Sequence, residues 1–173
     1  YETAGFHVSE SDVVVDAGVA EGNFALSVIE KVKKIYLFEM DKAWITALEA
    51  TFAPWKEKVV IVNKYVSDVN EKNRITLDAF FGNEKIDFIK ADIEGAEIQL
   101  LEGAKAILSR KTPLKAVLCT YHKHNDAEML QQTLAEKGFR TEFSNGYMIF
   151  FYEMCDKFEP PYLRRGLIRA EKK

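Results

Sequence analysis

The stretch 12–23, DVVVDAGVAEGN, constrains this chain more than any other: three valines run into Asp16, a turn of small residues follows, and a helix begins at Asn23. A run apolar on both faces is the signature of a parallel strand covered on both sides. The small residues fall as Asp16-x-Gly18-x-Ala20-x-Gly22, so Asn23 occupies the third glycine position of the dinucleotide fingerprint. A dinucleotide needs backbone amides and a helix N-terminus aimed at its pyrophosphate. A nucleoside carrying an amino-acid arm has no phosphate. It needs a turn without side-chain bulk, an acid near the ammonium and a second acid on the ribose. Asp16, the Gly18/Ala20/Gly22 turn with Asn23, and Glu39 with its neighbour Met40 in IYLFEMD supply these in order. Glu39 stands roughly 20 residues past the turn, the distance that one strand-helix-strand unit requires. The spacing therefore favours S-adenosylmethionine over NAD. A glycine turn alone carries little weight, because many such turns hold glycine for steric reasons.

With 173 residues, 47% of them hydrophobic, the chain can form one α/β domain; a domain of this size buries about 70% of its unfolded surface. A formal charge of -3 supplies no broad basic field for nucleic acid, so the expected partner is a small molecule. Cys119 and Cys155 have no spacing that suggests a disulfide framework or a zinc site, and read as reduced cytosolic thiols. No apolar run approaches the roughly 20 residues of a membrane span, and no signal-peptide pattern opens the chain. A cytoplasmic location without membrane contact is the expectation.

Apolar runs alternate with helical patterns, which predicts βαβ units and a mainly parallel sheet. Strands are expected at 12–16, 34–39, 58–62, 86–91, 114–120, 139–144 and 147–153, with amphipathic helices at 23–32, 42–52, 96–109 and 126–137. The link 63–85 carries a short helical piece around residues 77–81 and is otherwise loop. The last two strands flank Ser144-Asn145-Gly146 and are expected to pair as an antiparallel hairpin. That ending is the architecture of the large methyltransferase class, whereas a dinucleotide domain continues with another βαβ unit. Methyltransferase domain boundaries are set at 1–155. Residues 156–173, with Pro160-Pro161 and a run of basic residues, are expected to form a loosely attached tail. Removing residues 160–173 is expected to leave cofactor binding intact.

Two further segments carry chemistry. KIDFIKADIEGAEIQLLEGAKAIL, residues 85–108, ends a strand with Lys90, Asp92, Glu94 and Glu97 around Gly95. Carboxyl ends of parallel strands are where ligands bind, so Asp92 is read as functional. Glu94 and Glu97 have a plainer alternative, since acids at a helix N-terminus gain about 0.3–1 kcal/mol each. VLCTYHKHNDAEML, residues 117–130, brings Tyr121, His122, His124 and Asp126 to the same edge, with Asn125 or Asp126 as a helix cap. His122 is the natural general base near neutral pH, and it can equally join Asp92 around a divalent metal. Both histidines point to one side if the strand continues. Two histidines on a surface loop are the competing reading.

In this order and at these distances, VVVDAGVAEGNFAL, IYLFEMD, ITLDAF, IDFIKADIEGAEIQLLEGA and YHKHND resemble the FkbM-type S-adenosylmethionine-dependent methyltransferases. The resemblance spans roughly residues 8–152, and the KADIEGAE segment is its most specific element. It implies a Rossmann-like class I methyltransferase fold, with a seven-stranded mostly parallel sheet and a C-terminal antiparallel hairpin. It further implies that Asp16, Gly18 and Gly22 line the methionine arm, that Glu39 holds the ribose, and that Ser67 and Asp68 border the adenine. Glu21 departs from the family, standing where a small polar residue is usual.

The expected activity is methyl transfer from S-adenosylmethionine to a hydroxyl of a sugar or other small metabolite, with Asp92 and His122 as the catalytic pair. The oxygen preference comes from the resemblance. Two rivals stand beside it: an NAD-dependent oxidoreductase, which would want the missing glycine, and a nucleoside-binding module without catalysis.

Overall fold

A computed structural model describes residues 1–149 and 162–173. In chain order the elements are β1 (Val13–Ala17), α1 (Asn23–Val28), β2 (Lys34–Phe38), α2 (Lys42–Thr51), β3 (Val59–Val62), β4 (Tyr65–Val66), β5 (Arg74–Ile75), α3 (Leu77–Phe81) and β6 (Phe88–Ala91). There follow α4 (Glu97–Glu102), α5 (Lys105–Ser109), β7 (Leu114–Cys119), α6 (Asp126–Glu136), β8 (Arg140–Phe143), β9 (Met148–Ile149), β10 (Leu163–Arg164) and β11 (Leu167–Lys172).

Seven strands form one sheet in the order β3-β2-β1-β6-β7-β11-β8. The first five are parallel, and β11 runs antiparallel to both β7 and β8. This is the expected fold class. Every residue of β1 is buried, as a central parallel strand demands. Alternation divides its side chains: Val13, Val15 and Ala17 join one core with Leu77, Leu100, Leu101, Leu108 and Leu130 from α3 to α6. Val14 joins the other with Phe24 and Val28 of α1, Leu48 of α2, and Phe6 and Val8 of the N-terminal segment. Strand order reverses between β1 and β6, so the crossovers diverge there and leave a crevice at the strand ends.

Three expectations change. First, the pattern read as one helix over 96–109 is two, α4 and α5, broken at Gly103 and Ala104. A Cβ on Gly103 would stand 2.0 Å from the Ser67 carbonyl oxygen, so the loop after β4 presses on the helix at that point. Second, β8 takes β11 as its antiparallel partner, while Met148–Ile149 pairs with β10 in a separate ribbon. The expected strand 147–153 is thus Met148–Ile149 within the described residues, and its remainder, like Cys155 and the boundary at 155/156, lies outside them. Third, residues 163–172, assigned to a loose basic tail, are strands. Ile168 and Ala170 are fully buried, and β11 pairs with β7 over six residues from Leu167 to Lys172. The basic residues are reconciled by alternation: Arg169 points away from the core, where its Nε donates to the Tyr1 carbonyl at 2.9 Å.

The link 63–85 adds the parallel pair β4 and β5 to the expected short helix α3. Thr76 caps α3 by accepting from the Ala79 N–H at 3.1 Å. Among the described residues no helix is long and apolar enough to cross a membrane.

Removing residues 167–173 strips the sheet of an internal strand and exposes β7. The truncated chain is expected to lose cooperative thermal unfolding by circular dichroism, where a tail that merely rests on the surface would leave the transition unchanged.

Candidate functional site

The carboxyl ends of β1, β2 and β6 meet the loop after β4 around a cleft of about 770 Å³, within the size range of small-molecule sites. Gly18, Ala20, Glu39, Met40, Ser67 and Asp68 line it, with Asp92 and Glu94 at one end and Trp44, Lys64, Tyr65 and Arg74 at the other. Of the predicted cofactor residues, Asp16, Gly22 and Asn23 do not reach its surface. Asp16 is fully buried beneath the turn, Gly22 caps α1 in a left-handed conformation, and Asn23 is exposed.

Asp16 lies opposite Lys90 in the β1–β6 register, and the Lys90 ammonium stands 2.9 Å from Asp16 Oδ1. Lys90 also donates to the Gly18 carbonyl, fixing the turn above the pair. Its partner is therefore Asp16, not the acids that follow β6. Lys90 is the carboxylate's cationic partner, and no other donor to either Asp16 oxygen is present among the described residues. Burial pushes the Asp16 carboxyl up to about 6, against the pull of Lys90, with Asp92 and Glu39 adding to the rise.

The turn is built around one close approach. Gly18 adopts φ 74°, and a Cβ there would fall 1.8 Å from the Asp92 carbonyl oxygen. The Gly18 N–H donates to the Phe38 carbonyl at 3.1 Å, joining the ends of β1 and β2. Glu39 then closes the near side. Its Oε2 accepts from the Ala20 N–H at 3.1 Å, and its Oε1 accepts from the N–H groups of Met40 and Asp41 at 2.7 and 2.8 Å. Three backbone donors hold this carboxylate with its remaining lone pairs toward the cleft wall. Farther along, Ser67 Oγ donates to Asp68 Oδ1 at 3.0 Å.

Asp92 and His122 come together from the ends of β6 and β7. His122 Nε2 lies 3.5 Å from Asp92 Oδ1, and Nδ1 lies 3.2 Å from Glu97 Oε1. The His122 side chain is 1% exposed, which overturns the surface-loop reading. Strand β7 ends at Cys119, so extension does not continue: His124 is exposed, and the two rings do not share a side. Asp126 reaches back to accept from the Lys123 N–H at 2.6 Å, whereas Asn125, the residue before the helix, makes no side-chain cap. Glu97, on the first turn of α4, is 1% exposed and accepts from the Ile93 N–H at 2.9 Å. Its place at a helix start is thus joined to a contact with the histidine.

Burial lowers the His122 pKa, but Glu97, Asp92 and Glu94 outweigh it and hold the imidazole above its ordinary value. Tyr121 donates to Asp92 Oδ1 and Tyr1 donates to Oδ2, each at 3.0 Å. Burial first, then the charge of Asp92 among other neighbours, pushes both phenols up, so both remain neutral donors. Asp92, Glu97 and His122 place one ligand atom each within 4.8 Å of one another, a composition that suits a cation as well as proton transfer. Sequence reasoning missed two contributors. Tyr1 reaches Asp92 across the whole domain, and Arg164 donates to the carbonyls of Tyr121 and His122 at 2.6 and 2.9 Å from the supposed tail. No local pattern announces either, because each contact joins residues far apart in sequence.

Residues 62–141 match the family model of the methyltransferase FkbM domain, the family whose resemblance the sequence carries. A methyltransferase FkbM from Methylobacillus flagellatus superposes with a TM-score of 0.73 at 18% identity, over 96% of this chain and 45% of that one. This chain thus spans less than half of that relative. A SAM-dependent O-methyltransferase from Thermotoga maritima superposes at TM-score 0.59 and 17% identity, over 95% of this chain and 60% of that one. A Streptococcus mutans protein solved in complex with SAH does so at 0.56 and 14%, over 96% and 91%. At these identities the structures establish the fold. No curated protein matches the sequence.

Gly18→Ala drives a methyl group into the Asp92 carbonyl at a positive φ, and is expected to destabilise the domain by more than the ~1 kcal/mol of a tolerated glycine replacement. Urea unfolding measures it; an unchanged midpoint contradicts the packed turn.

Proposed function

We propose that this chain, which carries a methyltransferase FkbM domain over residues 62–141, binds S-adenosylmethionine in the cleft and transfers its methyl group to a hydroxyl of a small molecule such as a sugar. The observation that carries the reading is the cleft at the sheet's switch point, lined by the bulk-free Gly18 and Ala20 together with Glu39 and Asp92. Asp16, buried beneath Gly18 and paired with the Lys90 ammonium at 2.9 Å, supports the turn on which the methionine arm would lie. Glu39 suits the ribose hydroxyls, and Ser67 with Asp68 the adenine. Oxygen as the acceptor atom rests on the family resemblance.

S-adenosylmethionine supplies an activated methyl on its sulfonium. The protein must hold the acceptor oxygen in line and take up its proton. Asp92 lines the cleft and is our candidate to receive that proton, with His122, buried behind it at 3.5 Å, as the base that it would pass to. Glu97 on Nδ1 orients the imidazole and stabilises its protonated form, while two phenol donors fix Asp92. The Asp92–Glu97–His122 group also has the composition of a divalent-cation site. Proton transfer is favoured, because both Asp92 oxygens and Glu97 Oε1 already receive hydrogen bonds that a cation would have to displace or share.

Titration calorimetry with S-adenosylhomocysteine and NAD tests the binding claim: the first binds and the second does not. Glu39→Ala is expected to weaken S-adenosylhomocysteine tenfold or more, since each hydrogen bond to a charged group is worth about 1.5–3 kcal/mol. Unchanged affinity sinks the ribose assignment, and NAD binding revives the oxidoreductase.

The second test is kinetic. A base must be unprotonated, so turnover is expected to rise with pH through a group above the ordinary histidine value of about 6.5, and His122→Asn removes that limb. Activity is expected to survive EDTA. Abolition by EDTA, with S-adenosylhomocysteine affinity retained, assigns the cluster to a metal instead.

A further inference from the structure

Resting on the proton-transfer reading, we infer that Arg164 is a positioning residue for that step: its guanidinium sets where the Tyr121 phenol and the His122 imidazole stand against Asp92. Both side chains come from a stretch beyond the reach of the sheet ladder. Strand β7 ends at Cys119, and its pairing with β11 ends at the same place, where Cys119 meets Leu167. Tyr121 and His122 follow in a segment that is neither helix nor strand, before α6 begins at Asp126.

The connection between β10 and β11 takes over from the ladder. The Thr120 N–H donates to the Gly166 carbonyl at 3.1 Å, and Thr120 Oγ1 donates to the Arg165 carbonyl at 2.7 Å. Next along both segments, Arg164 Nη1 donates to the Tyr121 carbonyl at 2.6 Å and to the His122 carbonyl at 2.9 Å. Residues 164–166 thus run back along 120–122 and grip the main chain of each. Gly166 and Arg165 contribute carbonyls to this grip, whereas Arg164 contributes a side chain that a substitution removes.

The grip fixes the meeting of two strand ends. Tyr121 donates to Asp92 Oδ1 at 3.0 Å, His122 Nε2 lies 3.5 Å from the same oxygen, and Nδ1 lies 3.2 Å from Glu97 Oε1. A main-chain shift of about 1 Å at these two residues breaks such contacts, and a misplacement of that size costs on the order of 100-fold in rate. A guanidinium suits the task, because it stays charged and the N–H bonds of one nitrogen diverge in a fixed plane onto successive carbonyls; an ammonium is a point charge. Arg165 has a different occupation. Its guanidinium carbon lies 5.5 Å from the Phe143 ring centre and 4.4 Å from that of Tyr147. The two adjacent arginines therefore have separate roles, and the second serves as a control for the first.

The test is protection of the His122 ring from diethyl pyrocarbonate on the full chain, with each histidine followed by peptide mass spectrometry. In the wild type the buried His122 is expected to react about tenfold more slowly than the exposed His124. Arg164→Met keeps the apolar stem and removes the donors; it is expected to speed the reaction at His122 about tenfold, while Arg164→Lys restores part of the protection and Arg165→Met stays within about twofold of the wild type. Affinity for S-adenosylhomocysteine is expected to stay within about twofold throughout, since neither residues 120–122 nor Arg164 line the cleft. Thermal unfolding is followed alongside, and Arg164→Gln repeats the comparison should methionine disturb the fold. A His122 ring as protected in Arg164→Met as in the wild type overturns the inference. An equal rise in Arg164→Met and Arg165→Met does so too, because it shows a general loosening of the ribbon. The reading of His122 as a base stands or falls on the pH dependence of turnover in His122→Asn, where Arg164 is untouched, so the two failures are told apart.

Discussion

The ion pair between Asp16 and Lys90 holds the site together. Both residues sit at the carboxyl ends of adjacent central strands, and their side chains are 1% and 4% exposed. Taking two charges out of water is costly, and removing one partner of such a pair typically costs about 3–5 kcal/mol, because the other is left buried and unpaired. The register of β1 on β6 sets the two opposite each other. From there Lys90 reaches the Gly18 carbonyl, and the Gly18 N–H reaches Phe38 at the end of β2. One buried cation thus ties three strand ends and the turn into a single rigid edge.

That rigidity explains why the site can afford open groups elsewhere. Glu39 is held by three backbone N–H groups, Asp92 by two phenols, and Glu97 by the Ile93 N–H, so each carboxylate is fixed by donors, the first two on the cleft wall and Glu97 buried against His122. Acids so placed repel one another. The raised carboxyl of Asp16 and the raised imidazole of His122 are two records of that field, the first driven mainly by burial and the second by carboxylates overcoming burial. A positively charged ligand or a proton relieves it.

Tyr1, Arg164 and Arg169 add contacts to the edge. Tyr1 lies over the Lys90 ammonium, 5.3 Å from ring centre to nitrogen, and donates to Asp92, while Arg169 of β11 binds the Tyr1 carbonyl. Arg164 holds the backbone at His122. Through Arg169 and Tyr1 the late strand β11 is part of the site's support as well as of the core.

How much of this was legible depends on the range of the forces involved. Apolar runs and helical spacing are local, so the seven-stranded parallel class and the positions of β1, β2, β6 and β7 could be read from residues 12–16, 34–39, 86–91 and 114–120 alone. Asp92 and His122 were legible for the same reason: each follows the last apolar residue of a strand, and parallel neighbours bring such ends together. The break at Gly103, the partner of β8 and the fate of residues 163–172 were not. Each depends on a contact between segments far apart in sequence: the Ser67 carbonyl against α4, Ile168 and Ala170 against the core, Arg164 against the end of β7. The sequence determined which residues must be buried and which strand ends carry chemistry, because burial and alternation are properties of a segment. Tertiary structure decided which acid takes Lys90, which strand closes the sheet and which ring faces the carboxylates, because pairing is a property of two segments and of the space between them.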